Sequence, residues 1–181
     1  MNIQKARIVS SFDQINWSRW TPDQTATLIF VVQDGRVLLI RKKRGLGAGK
    51  INGPGGRIDP GETPKACAIR EAQEELLITP TGVTFAGELF FQFADGFKLH
   101  GYVFQASGFD GVPTSTDEAD PVWTSLDNIP YREMWADDRY WLPFMLNDHL
   151  FTGRFLFDGD NMLGYELTCE PATEKSRNLH A

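Results

Sequence analysis

Three glutamates carry the chemistry that this sequence can do. Glu71, Glu74 and Glu75 are spaced i, i+3 and i+4, which gathers their carboxylates on one face of any helix that contains them. Like charges so placed repel each other and call for a cationic partner. Hard oxygen donors on one face suit Mg²⁺ or Mn²⁺. A solvated acidic helix face has the same local pattern, so the flanking residues must decide. Thr63 is a good N-cap residue, and Pro64 fits the first helical position, where a missing N–H costs nothing. Ala66, Ile69, Ala72 and Leu76 fall roughly opposite the carboxylates and predict a core-facing stripe. Arg70 is placed to pair with Glu74 at i, i+4. Ahead of the helix, Asn52-Gly53-Pro54-Gly55-Gly56 allows close backbone approach to a metal ion and phosphates.

Two further groups of residues have chemical potential. Trp135-Ala136-Asp137-Asp138 offers a ring on which a planar base can stack, beside two adjacent acids. If both acids enter one pocket, repulsion and desolvation raise at least one pKa, leaving one carboxyl to donate and its neighbour to accept. Helix capping beside a core tryptophan would explain the same four residues. Arg41-Lys42-Lys43-Arg44 opens a basic, glycine-containing stretch to Lys50. It is not a P-loop, because Arg44 and Ile51 stand where glycine and Ser or Thr are needed. The dinucleotide fingerprint fails at Lys50. What remains is a flexible basic loop beside a phosphate-bearing ligand.

The spacing as a whole resembles a known family. Gly56, five residues, Glu62, seven residues, then Arg70-Glu71-Ala72-Gln73-Glu74-Glu75-Leu76-Leu77-Ile78 is similar to the Nudix box, G-x5-E-x7-R-E-U-x-E-E-x-G-U with U aliphatic. Ala72 is smaller than usual, and Leu77 replaces the glycine that would end the helix in a left-handed conformation, implying a different helix exit. RVLLIRKKRGLGAGKINGPGGRI, DEADPVW and IPYREMWADDRYWLPFML further resemble the MutT-homologue oxidised purine nucleoside triphosphatases.

That resemblance implies an α/β (α+β) fold, a Nudix α/β/α sandwich with a mixed sheet covered by helices. It implies hydrolysis of oxidised purine nucleoside triphosphates such as 8-oxo-dGTP to the monophosphate and pyrophosphate. Glu71, Glu74 and Glu75, with Glu118, are the implied Mg²⁺ ligands; one of them holds the attacking water, and Arg70 braces the box. Glu118 equally fits a solvated loop acid. The implied substrate-binding residues are Thr27, Lys42, Asn52, Pro54, Gly55, Gly56, Arg57, Trp135, Ala136, Asp137 and Asp138. Leu46 and Ile51 stand where the family commonly carries aromatics, and Phe91 and Leu99 are either lining or plain core. Hydrolysis of another X-linked nucleoside diphosphate stays open, as does a non-catalytic Nudix-fold module, although no box acid is missing.

The rest of the chain sets the bounds. Its 181 residues suit one domain, and 41% hydrophobic with 23% charged residues is an ordinary globular composition. A net charge of −6 argues against nucleic acid polymers as ligands. Cys67 and Cys169, without zinc spacing, read as reduced thiols. No secretory h-region and no membrane-length apolar run is present, so a cytoplasmic protein is expected. Residues 1–24 read as an extension, 25–168 as the domain and 169–181 as a loose polar tail. The resemblance implies a monomer, with a dimer contact conceivable through the extension. Hairpins are expected at Asp34-Gly35, Asp95-Gly96 and 158–161, a polar connection over 108–120, a short strand at Val122-Trp123 and a second helix over Arg139–Leu150.

Overall fold

The computed structural model describes residues 9–180. Strand β1 (Gln24–Gln33) turns at Asp34-Gly35, both with positive φ (51° and 70°), into β2 (Arg36–Lys42). A two-residue strand β3 (Ile51–Asn52) and helix α1 (Pro64–Leu76) follow. Next come β4 (Ile78–Thr81), β5 (Thr84–Phe93), β6 (Lys98–Ala106), β7 (Gly108–Gly111) and β8 (Ala119–Ser125). Helix α2 (Asp138–Leu146), β9 (His149–Asp158), β10 (Asn161–Pro171) and the short α3 (Glu174–Arg177) complete the chain.

The main sheet runs β10-β9-β5-β6-β1-β2-β3, with β8 also on β2, while β4 and β7 pair separately. It is mixed: β1–β6 and β5–β9 are parallel and the other pairs antiparallel. Both faces are buried, so β1 and β2 read as continuous apolar runs. Ile29, Val31, Leu38 and Ile40 pack with Ala68, Ala72 and Leu76 of α1. Phe30, Val37 and Leu39 pack on the other face with Trp141, Leu142 and Met145 of α2. One helix on each face of a mixed sheet is the α/β/α layering that the resemblance implies.

One break in this regularity creates the site. β2 pairs with β1 only at Val31–Gln33, and the first half of β1 has the glycine-rich loop beside it instead. The Thr27 N–H donates to the Gly56 carbonyl (2.9 Å), the Ile29 N–H to the Pro54 carbonyl (2.9 Å) and the Ile58 N–H to the Thr25 carbonyl (3.0 Å).

Several sequence expectations need correction. Ala66 is exposed, and the buried apolar stripe of α1 is Ala68, Ala72 and Leu76, because Cys67, Glu71 and Glu75 turn inward beside it. The 108–120 connection is not wholly irregular: Gly108–Gly111 pairs with β4. Helix α2 stops at Leu146, with its last carbonyls taken by Asn147 and Asp148 at φ 58°, which releases His149 and Leu150 into β9. The tail is not loose. Arg177 pairs with Asp148 (3.1 Å), and His180 reaches Glu88 (3.1 Å) and packs on Phe85 and Tyr102. Of the extension, residues 1–8 lie outside the described residues, while Trp20 meets Phe90 edge-on and donates its indole N–H to Gln92 (3.2 Å). Both cysteines are free, Cys67 buried and Cys169 exposed. Among the described residues no helix is long and apolar enough to cross a membrane.

Leu77 corrects a further expectation. Instead of giving α1 a different exit, it adopts the left-handed conformation itself (φ 59°, ψ 33°), and its N–H bonds the Gln73 carbonyl. A Cβ makes that conformation costly. The side chain is 57% exposed, so little packing offsets the strain. Leu77→Gly is therefore expected to stabilise the fold by about 1 kcal/mol, raising Tm by about 2–4 °C for a chain of this length. A lower Tm in thermal unfolding would contradict this account of the helix exit.

Candidate active site

Helix α1 starts as its sequence dictates: the Thr63 hydroxyl accepts from the Ala66 N–H (3.2 Å), with Pro64 at the first position. Its inward row is Cys67, Glu71 and Glu75, four residues apart, which presses two carboxylates and a thiol against the glycine-rich loop. Glu75 is 1% exposed; its Oε2 accepts the Gly55 N–H (2.9 Å) and its Oε1 the Lys42 Nζ (3.2 Å). Burial pushes its pKa up, opposed by Lys42 and by the Gly55 N–H. Glu71 is raised too, chiefly by burial and against the pull of Arg70. A Cβ on Gly55 would collide with the Thr27 carbonyl, and one on Gly56 with the Glu71 carboxylate. Only glycines let loop, strand and helix come this close.

Arg70 does more than the expected i, i+4 pairing. It grips Glu62 with two bonds (2.8 and 3.0 Å) and Glu71 with one (2.7 Å), and touches Glu74 only at 3.4 Å. The guanidinium holds the Glu62 carboxyl down at about 2. It also donates to the Arg57 carbonyl (3.1 Å), tying helix to loop. Thr27 donates its hydroxyl to Cys67 Sγ (3.3 Å), and burial pushes that thiol up to about 11. Glu74 remains half-exposed.

Beside this cluster lies a cavity of about 240 Å³. Its lining includes Thr27, Lys42, Asn52, Gly55, Gly56, Arg57, Trp135, Asp137 and Asp138 from the predicted set, but not Pro54 or Ala136. Phe91 and Leu99, equally readable as plain core, line it, and so does Leu46, whereas Ile51 is buried in the α2-side core. Gly53, from the glycine-rich run, lines it too, and Gln24, Ala26, Leu28, Leu89, Phe93, Gly101 and Phe157 also line it and were missed. Strand alternation places Leu89, Phe91 and Phe93 on one face, but nothing in sequence says that this face is hollow.

The acid pair sits at the other end. Both aspartates are 2% exposed. Asp137 Oδ2 accepts the Trp141 indole N–H (2.8 Å), and its Oδ1 is buried with no partner. Asp138 Oδ2 accepts the Trp135 N–H (3.0 Å). Burial pushes Asp137 up to about 6, and burial plus the Asp137 charge pushes Asp138 well above the usual carboxylate range. A buried oxygen without a protein donor in a residue of the cavity wall is able to accept from a ligand.

The basic loop is clamped rather than free. Lys43 pairs with Asp120 (2.8 Å), Arg41 with Glu133 (2.8 Å) and Lys50 with Asp160 (2.9 Å). Glu118 is taken by Arg44 and does not line the cavity.

The NUDIX domain family matches residues 22–145. The chain belongs to the Nudix family. It is 44% identical over 138 residues to the oxidized purine nucleoside triphosphate hydrolase of Danio rerio, covering 76% of this chain and 88% of that one. The Mus musculus protein of the same name is 41% identical over 143 residues, covering 78% and 92%. Among solved structures, the mMutator MutT protein from Bacillus halodurans superposes with a TM-score of 0.71 at 27% identity, covering 80% of this chain and 97% of that one.

Nudix hydrolases generally need a divalent metal ion. In this Nudix hydrolase no three His, Cys, Asp or Glu groups among the described residues stand close enough to hold one; Arg70 and Lys42 occupy the carboxylate oxygens instead. The donor set nevertheless fits such an ion. Glu71 and Glu75 are desolvated hard-oxygen groups already neutralised by cations, and the ammonium of Lys42 lies on a flexible stem that can be displaced.

The acid pair makes stability depend on pH. Asp137 holds its proton up to about 6 when folded, against 3.8 ordinarily, and Asp138 beyond that. The folded state binds more protons across this window, so stability is highest below it and falls as pH rises through it. Thermal unfolding from about pH 4 to about pH 8 is expected to show a flatter decline for Asp138→Asn, whose amide oxygen still accepts the Trp135 N–H. Identical slopes would refute the shared burial of the pair.

Proposed function

We propose that this Nudix hydrolase cleaves oxidised purine nucleoside triphosphates, such as 8-oxo-dGTP, to the monophosphate and pyrophosphate. The observation that carries this reading is the cavity itself. Its wall runs from Lys42, Gly55 and Gly56, which contact the carboxylates of Glu71 and Glu75, to a tryptophan and two buried aspartates with raised pKa values, one with an oxygen left unpaired. The names of the relatives at 44% and 41% identity support the substrate class.

The base stacks on Trp135 and meets the acid pair at its edge. Asp137 Oδ1 accepts a ring N–H, and the protonated member of the pair donates to a base carbonyl. Asn52, whose Oδ1 now accepts the Gly53 N–H (2.8 Å), has its amide donors left to offer. The phosphates lie along Gly55 and Gly56, where Lys42 and the exposed Arg57 supply positive charge. Glu71, Glu74 and Glu75 would hold a divalent ion such as Mg²⁺, which would supply positive charge to the phosphates. A carboxylate oxygen of this set orients the attacking water, and Arg70 keeps the set in place through Glu62 and the Arg57 carbonyl. Glu118 joins the ligand set only by leaving Arg44.

Pyrophosphate release with Mg²⁺ from 8-oxo-dGTP and from dGTP tests the proposal. The oxidised substrate is expected to be preferred, and Glu75→Gln to lower turnover by roughly a hundredfold or more. Trp135→Ala is expected to cost about tenfold or more in kcat/KM on the oxidised substrate. Equal turnover of both nucleotides would sink the base reading; near-normal turnover in Glu75→Gln would sink the role of the box.

A further inference from the structure

An indole recognises a base only if it stays in place, and one residue outside the cavity lining lies over the Trp135 ring. Lys50 closes the loop that follows β2. Its root is rigid: the Lys42 N–H donates to the Lys50 carbonyl (3.0 Å), the Gly49 N–H to the Lys42 carbonyl (2.7 Å) and the Lys50 N–H to the Gly47 carbonyl (2.9 Å). From that root the side chain crosses the Trp135 ring, with Nζ 4.9 Å from the centroid. It ends on Asp160 Oδ2 at 2.9 Å, in the turn between β9 and β10. Trp135 lines the cavity and Lys50 does not, so the ammonium meets the ring from outside the cavity lining.

The other contacts of the indole fit this arrangement. Phe157 meets it edge-on with centroids 5.6 Å apart. Gly47 approaches so closely that a Cβ there would lie 2.9 Å from the indole nitrogen. Leu46, next to Gly47, lines the cavity although more than half of it is exposed, so the same loop forms part of the cavity rim. The charge of Lys50 also acts on Asp138, opposing the repulsion from Asp137. Asp160 is largely exposed, so its ion pair adds little stability; its consequence is where it sends the lysine.

We propose that Lys50, latched to Asp160, is a positioning residue for base recognition, holding the Trp135 indole against the cavity and the Leu46 loop at its rim. This role rests on the base-pocket reading given above. It predicts an effect on binding rather than on the chemical step, because the Lys50 ammonium meets Trp135 and Asp160 and not the box glutamates.

Lys50→Met keeps the apolar stem and removes the cation. Three readouts apply: the Kd for 8-oxo-dGMP without metal, KM and kcat for 8-oxo-dGTP, and hydrogen exchange of the 43–50 amides. Lys50→Met is expected to raise Kd and KM roughly three- to fivefold, leave kcat within about twofold and speed exchange in the loop. Lys50→Arg, whose planar cation both stacks and pairs with Asp160, is expected to restore Kd and KM. Asp160→Asn is expected to loosen the loop, with a smaller rise in KM. Unchanged Kd and KM in Lys50→Met, or a loss confined to kcat, would overturn the role of Lys50 while leaving the base pocket standing. A wild-type protein that binds no 8-oxo-dGMP would overturn the base pocket itself, and the role of Lys50 with it.

Discussion

A carboxylate buried to 1% exposure needs its charge answered within the fold, and Glu75 is such a carboxylate. Its two oxygens are satisfied by a backbone N–H from the glycine-rich loop and by the ammonium of Lys42. Both partners come from elements that must be brought to α1. The loop reaches it only by lying along the first half of β1, and it fits there only because residues 55 and 56 lack a Cβ. Having the loop in that place means that β2 cannot also pair there. The cavity extends from that parting over β1, β6, β5 and β9, so the buried acid, the glycines and the split sheet set one end of the pocket.

The two ends of the site differ in how their buried acids are compensated. At the α1 end every acid has a cation within reach: Arg70 for Glu62, Glu71 and Glu74, and Lys42 for Glu75. Arg70 and Lys42 offset only part of the cost of burial at Glu71 and Glu75, whose pKa values still rise. At the α2 end the two aspartates are buried against indole N–H and backbone, with Lys50 acting only from outside, and burial raises the pKa of both, Asp138 the further. Anionic oxygens suit a metal ion and its phosphates; an acid pair that can both donate and accept suits the edge of a base. Lys42 and Lys50, joined by a backbone hydrogen bond, extend from one short segment toward the two ends.

Much of the remaining sheet is closed by the ends of the chain. Trp20 on Phe90, and His180 on Phe85 and Tyr102, cover β5 and β6 where α1 does not reach. Their hydrogen bonds and ion pairs to Gln92, Glu88 and Asp148 explain why segments that are polar in sequence are nonetheless ordered against the domain.

Local rules determined a good part of this protein in the sequence itself. The Asp34-Gly35 turn between two apolar runs, the Thr63-Pro64 start of α1 and the spacing of Glu62, Arg70, Glu71, Glu74 and Glu75 needed only neighbouring residues to be read. What lay beyond those rules depended on distant partners. Ala66 lost its place in the core because Cys67, Glu71 and Glu75 turned toward a loop that helical periodicity does not see. Leu77 took the left-handed exit of a glycine because Ile78 had to enter β4 and pair with β7, a pairing invisible in a segment read as polar connection. Phe91 and Leu99 became cavity walls, and Ile51 core, through sheet geometry rather than residue type. Which side chains share a site is a property of the sheet's parting at β1, and that parting exists only once loop, strand and helix have packed together.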